Sequence, residues 1–114
     1  MNMTRIEAII QPSKLEAVKK ALIDLGVEGM TVSEVYGHGR SEERIGIFRG
    51  QKYRIDFLPS LKLELVLTND QVEDAVDVIV KNAGTGKVGD GKIFLSRVDD
   101  AVRIRNEQRG VAAL

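Results

Sequence analysis

Residues 85–95 read Thr85-Gly86-Lys87-Val88-Gly89-Asp90-Gly91-Lys92-Ile93-Phe94-Leu95, and the way this stretch ends decides the architecture. Gly86-x-x-x-x-Gly91-Lys92 satisfies most of the Walker A pattern, whose next position is a Ser or Thr that binds magnesium at the start of a helix. Here position 93 is Ile, and Ile93-Phe94-Leu95 predicts a strand. The stretch is therefore a glycine-rich loop feeding a strand, not the loop of a P-loop nucleotide hydrolase. Its successive main-chain N–H groups, with Lys87 and Lys92, suit an anion. An ordinary flexible turn is the alternative reading.

Upstream, Val72, Ala75, Val76, Ile79, Val80 and Ala83 recur at helical spacing, with Asp70-x-x-Glu73 resembling a capping box and Gly84 ending the helix. Before that helix Leu61, Leu63, Leu65 and Leu67 alternate with Lys62, Glu64 and Val66, the cleanest strand signal in the chain. At the N-terminus Ile6, Ala8 and Ile10 share one face of a strand over residues 4–10. Pro12 then opens a helix carrying Leu15, Val18, Leu22 and Leu25, which Gly26 stops. A second strand covers residues 29–36.

Residues 37–58 lose this regularity, with Gly37, Gly39, Gly46 and Gly50 among many charges. So long a loop in a small domain points to function. Its apolar Ile45, Ile47, Phe48 and Tyr53 either dock into a partner, the preferred reading, or form a small hairpin on the loop itself. After the glycine loop come a strand over residues 93–98 and a short strand over residues 101–105. In the latter, period-2 spacing sets Arg103 and Arg105 side by side as paired donors for phosphate, although surface ion pairing is the commoner role for such residues. Residues 106–114 read as a loosely held tail.

The order β-α-β, long loop, β-α-β predicts an α+β, ferredoxin-like split βαβ fold (βαββαβ) with an antiparallel sheet and both helices on one face. The other face is left for solvent or another subunit, and the leucine-rich strand favours an oligomer.

Composition excludes several classes. A length of 114 residues predicts one domain spanning residues 1–114. Seventeen basic and 17 acidic residues create no field toward nucleic acid or membrane, and the few aromatics make a poor base-stacking platform. There are no cysteines and one histidine, His38, so disulfide scaffolds and Cys- or His-rich metal sites are ruled out. No apolar run approaches the ~20 residues of a membrane span. Residues 1–5 lead into a strand rather than a signal peptide, so a cytoplasmic location is expected. No Ser/His/Asp triad or oriented carboxylate pair is present, which predicts a protein that is not an enzyme.

The chain resembles the PII signal-transduction family (nitrogen regulatory protein P-II) from Ile6 to about Arg105. The matching residues are Ala8-Ile9-Ile10 with Pro12 and Lys14-Leu15, Gly29-Met30-Thr31-Val32, Gly37-x-Gly39-Arg40, Arg49-Gly50, Asp56-Phe57-Leu58-Pro59, residues 85–94 and Arg103-Ile104-Arg105. The resemblance implies a compact homotrimer that binds ATP or ADP, with magnesium accompanying ATP, in clefts between subunits. By position, Thr31 and Val66 would line the adenine pocket, and Gly89, Asp90, Gly91 and Lys92 would hold phosphates. Arg103 and Arg105 would clamp from the adjoining strand. Gly37, Gly39, Arg40 and Ser41 would contribute from the root of the family's T-loop, here about residues 38–57. That loop would dock into a transporter or a metabolic enzyme, and a transporter partner would recruit the protein to the membrane without insertion.

Two departures bear on the ligand. Ser41 stands where family members that sense 2-oxoglutarate usually carry a glutamine, and Ser60 stands where they carry a lysine. An unpaired ligand carboxylate is costly, so these serines argue against 2-oxoglutarate sensing unless Lys62 compensates. Tyr53 survives as a possible modification site in changed surroundings. The competing readings are a full nitrogen regulator sensing ATP and 2-oxoglutarate, and a small phosphate-ester hydrolase on a ferredoxin-like fold.

Overall fold

The computed structural model describes residues 2–37, 45–48, 51–54 and 58–114. Strand β1 (Met3–Ile10) leads through a 3-10 turn (Pro12–Lys14) into helix α1 (Leu15–Asp24) and strand β2 (Thr31–Gly37). Strands β3 (Ile45–Phe48) and β4 (Gln51–Arg54) follow, then β5 (Leu58–Thr68), helix α2 (Asn69–Ala83), β6 (Gly91–Val98) and a 3-10 turn (Gly110–Ala113). The main sheet has the order β2-β5-β1-β6, with every pairing antiparallel. This is the split βαβ arrangement expected from the sequence.

Alternation builds the core. Ile6, Ala8 and Ile10 of β1 and Leu63, Leu65 and Leu67 of β5 point to the helix side. They meet Val18 and Leu22 of α1 and Val72, Ala75, Ile79 and Ala83 of α2. Truncating one of these, such as fully buried Leu63, to alanine costs about 2–5 kcal/mol. Helix α1 ends in a Schellman motif: Gly26 takes φ +100°, and the Val27 N–H reaches back to the Leu22 carbonyl at 3.0 Å.

Several details differ from the sequence reading. The leucines of β5 belong to the core, so they do not argue for an oligomer. The face away from the helices instead carries Arg5, Glu7 and Ile9, Lys62, Glu64 and Val66, and Lys92 and Phe94. The N-cap of α2 is Thr68 rather than Asp70, with the Thr68 hydroxyl 3.2 Å from Gln71 Oε1. Helix α2 packs through Val72, Ala75, Ile79 and Ala83, which leaves Val80 outside that face at 57% exposure. Within the long loop, β3 and β4 pair from Ile45↔Arg54 to Phe48↔Gln51, so the hairpin alternative forms.

The predicted strand over residues 101–105 is absent. Val102 makes one isolated bridge to Arg109, and residues 104–106 form a turn closed by the Glu107 N–H on the Arg103 carbonyl at 2.8 Å. Ile104 is 98% exposed, so the alternation of Val102 and Ile104 has no buried face to serve. The turn removes the period-2 geometry that set Arg103 beside Arg105. Residues 106–114 are tied back rather than loose, through an Arg109–Asp100 ion pair of 3.0 Å and an Arg103–Leu114 contact.

Candidate functional site

The glycine loop is braced from within by Asp90. Its Oδ2 accepts the N–H groups of Thr85 (2.7 Å) and Gly86 (3.0 Å), and its Oδ1 accepts the Thr85 hydroxyl at 2.6 Å. The Thr85 oxygen accepts the Lys87 N–H at 3.2 Å. These donors, the Thr85 hydroxyl first, hold the Asp90 carboxyl below its ordinary value. The carboxylate is thus occupied inside the loop, and only the main chain of Asp90 is left to face an incoming anion.

Two further contacts fix the loop to the sheet. Gln11 donates through Nε2 to the Gly89 carbonyl at 3.2 Å, a tie the sequence did not signal. Gly91, at φ +106°, lies so close to β1 that a Cβ there would sit 1.7 Å from the Ile9 carbonyl oxygen. Only glycine fits that contact. Beside the loop lies a cavity of about 450 Å³ whose polar lining comes from Gln11, Ser13, Ser60, Thr85 and Lys87. Lys87 is the sole cation among its described lining residues. Lys62 does not reach this cavity; its Nζ pairs with Glu7 Oε1 at 3.3 Å.

The expected adenine residues gather elsewhere. Thr31 of β2 and Val66 of β5 line one cavity of about 830 Å³ with Arg5 and Glu64. The C-terminal Val111 and Leu114 complete its wall, a contribution no local sequence signal announces. Arg103 sits with this group: its Nη1 donates to Gln108 Oε1 at 3.2 Å and its Nη2 to the Leu114 main-chain oxygen at 2.8 Å. Arg105 points into solvent from the turn.

The expected residues therefore fall into two groups. Gly89, Asp90, Gly91 and Lys92 lie at the β6 edge, near the end of the sheet where Gly37 pairs with Leu58. Thr31, Val66 and Arg103 lie toward the β2 edge and the other end of the strands. Counting strand spacings and rises along the register separates Val66 from Lys92 by roughly 16 Å. Tyr53 lies on β4 opposite Gly46. Gly39, Arg40 and Ser41 fall outside the described residues. Among the described residues, no three acidic, His or Cys side chains cluster as a metal site, and no helix is long and apolar enough to cross a membrane.

Comparison with known proteins names the class that this fold and loop define. The family model for nitrogen regulatory protein P-II matches residues 3–108. The chain is 47% identical over 112 residues to nitrogen regulatory protein P-II of Bradyrhizobium diazoefficiens, covering 98% of this chain and all of that one. It is 50% identical over the same length to the protein of that name in Cereibacter sphaeroides, with the same coverage of 98% and 100%. Nitrogen regulatory protein P-II 1 of Escherichia coli is 46% identical, again covering 98% and 100%. The crystal structure of Arabidopsis thaliana PII bound to citrate superposes with a TM-score of 0.81 at 35% identity, covering 99% of this chain and 92% of that one. The chain belongs to the P-II nitrogen regulatory protein family, whose members are signalling regulators rather than enzymes.

Proposed function

We propose that this protein binds ATP or ADP in clefts between copies of itself and reports the bound nucleotide to a transporter or metabolic enzyme through the segment around residues 38–57. The observation that carries the reading is the division of the expected site into two groups on one sheet. Thr31 and Val66 offer a base pocket, while the loop over residues 84–91, with the N–H groups of Thr85, Gly86 and Lys87 committed to its own brace, offers phosphates the main chain around Gly89 and Asp90. A separation of roughly 16 Å prevents one chain from wrapping a compact ligand with both. A head-to-tail ring meets this need, since it sets the β2 side of one copy against the β6 side of the next. A homotrimer is the ring we assign.

The same geometry argues against 2-oxoglutarate as a co-ligand. Ser60 lines the cavity beside the glycine loop without a charge to offer, and Lys62 is already paired with Glu7. Calorimetric titration with ATP and ADP, then with 2-oxoglutarate in saturating Mg-ATP, tests both parts. Heat from nucleotide with none from 2-oxoglutarate supports an energy sensor uncoupled from the carbon signal. Binding of 2-oxoglutarate restores the full nitrogen-regulator reading, and no heat from either nucleotide overturns the proposal.

A further inference from the structure

Arg103 is held by the chain's own C-terminal segment. Both terminal nitrogens of its guanidinium are engaged there, one by Gln108 and the other by the Leu114 main-chain oxygen at 2.8 Å. The apolar side chains of Val111 and Leu114 meanwhile form one wall of the Thr31–Val66 cavity.

The segment is fastened at its base by different bonds. Asp100 Oδ2 pairs with Arg109 at 3.0 Å, and Asp100 Oδ1 accepts the N–H groups of Ala101 (2.8 Å) and Gly110 (3.1 Å). The Val102↔Arg109 bridge runs alongside. Beyond Gly110, the tip is held by the Arg103–Leu114 contact and by the short-range bonds of its own 3-10 turn, among them the Leu114 N–H to the Val111 carbonyl at 3.1 Å. The base is built to stay closed while the tip opens.

We propose that residues 111–114 are a built-in latch on the cavity, released when a phosphate group of the ligand takes Arg103 from the Leu114 oxygen. The proposal rests on the nucleotide reading above. The exchange favours the ligand because a phosphate offers the guanidinium two charged oxygens in bidentate fashion, whereas Leu114 engages it through a single oxygen. A nucleoside lacks the competing group. Adenosine therefore fills the cavity with the latch closed, whereas ATP fills it with the latch open. The freed tip then exposes the rest of Val111 and Leu114, already 50% and 44% exposed, so the presence of a phosphate becomes a change of surface at the C-terminal segment.

The test is methyl NMR of Leu114 and Val111 in the full-length protein. ATP at saturation is expected to move the Leu114 methyl signals to their random-coil positions and adenosine to leave them in place. Arg103→Gln is expected to release them with no ligand present, while Leu63 and Leu65 in the core keep their shifts. Leu114 signals unchanged in Arg103→Gln, or released equally by adenosine, overturn the latch. ATP that gives heat in calorimetry but leaves Leu114 unmoved overturns the latch and spares the nucleotide reading. No heat from ATP overturns both.

Discussion

The glycine loop and the C-terminal segment are closed by the same device, one aspartate each, yet the two closures differ in reach. Asp90 gathers neutral donors from residues only four and five positions away, and the loop it closes is also pressed against β1 through Gly91. Asp100 gathers one neighbouring N–H and then a guanidinium and an N–H from nine and ten positions away. A closure made of local neutral bonds on a rigid floor is a fixed mould. One that depends on a charged pair across an open turn is a hinge. The proposed phosphate cradle uses the first and the proposed latch the second.

Substitutions should separate the two. Gly91→Ala forces a Cβ into the Ile9 carbonyl and a left-handed backbone onto alanine, so a loss above about 3 kcal/mol is expected in urea unfolding. An unchanged midpoint means the loop is not anchored to the sheet. Asp90→Ala comes next. Amide exchange should rise across residues 84–90 with the C-terminal segment unaffected, and Asp100→Ala should give the reverse. Exchange rising in both regions for either variant removes the distinction between mould and hinge.

Acid provides a finer probe. Hydrogen bonds from the Thr85 hydroxyl and N–H depress the Asp90 carboxyl, and the Arg109 hydrogen bond leads the depression of Asp100, each below the ordinary 3.8. A depressed folded value means that the stabilisation is fully present above the ordinary value and is lost as pH falls through the lowered one. Melting temperature measured against pH should therefore fall less steeply below pH 3.8 in the double variant Asp90→Asn, Asp100→Asn than in the parent. The smallest expected effect lies on the open face. Glu7 and Glu64 stand directly opposite one another, and Lys62 offsets that like-charge pair from the diagonal. Lys62→Met should cost only about 0.5–1 kcal/mol, and adding Glu7→Gln should recover most of it in a double-mutant cycle.

The sheet and its two helices were legible because burial and periodicity coincide there. Leu61 to Leu67 alternate in sequence and face the core in structure, and Gly26 sits where a helix end needs a positive φ. The C-terminal segment was not legible for the opposite reason. Val102, Arg103, Ile104 and Arg105 alternate by chance, while the turn is set by polar bonds such as that from the Gln108 N–H to Asn106 Oδ1 at 3.2 Å. Asn106 and Gly110 were the available signals, since both favour turns over strands. Thr68-x-x-Gln71 likewise fits a helix start as well as Asp70-x-x-Glu73 does, and local pattern alone did not rank them. The polar brace within the glycine loop was hidden differently: the composition marked an anion site, but nothing in it revealed that Asp90 faces inward.

The position of β1 also governs how the chain can assemble. It is the first strand made and the centre of the sheet, paired on one side with residues 61–68 and on the other with residues 91–98. Met3 meets Val98, so β1 leaves the ribosome long before its second neighbour exists. The sheet must then close late and nearly all at once, against the entropy of a loop of almost the whole chain. A nascent chain halted before residue 91 would carry β1 with one edge open and a row of unpaired amides, which is the form most prone to pair with the wrong molecule.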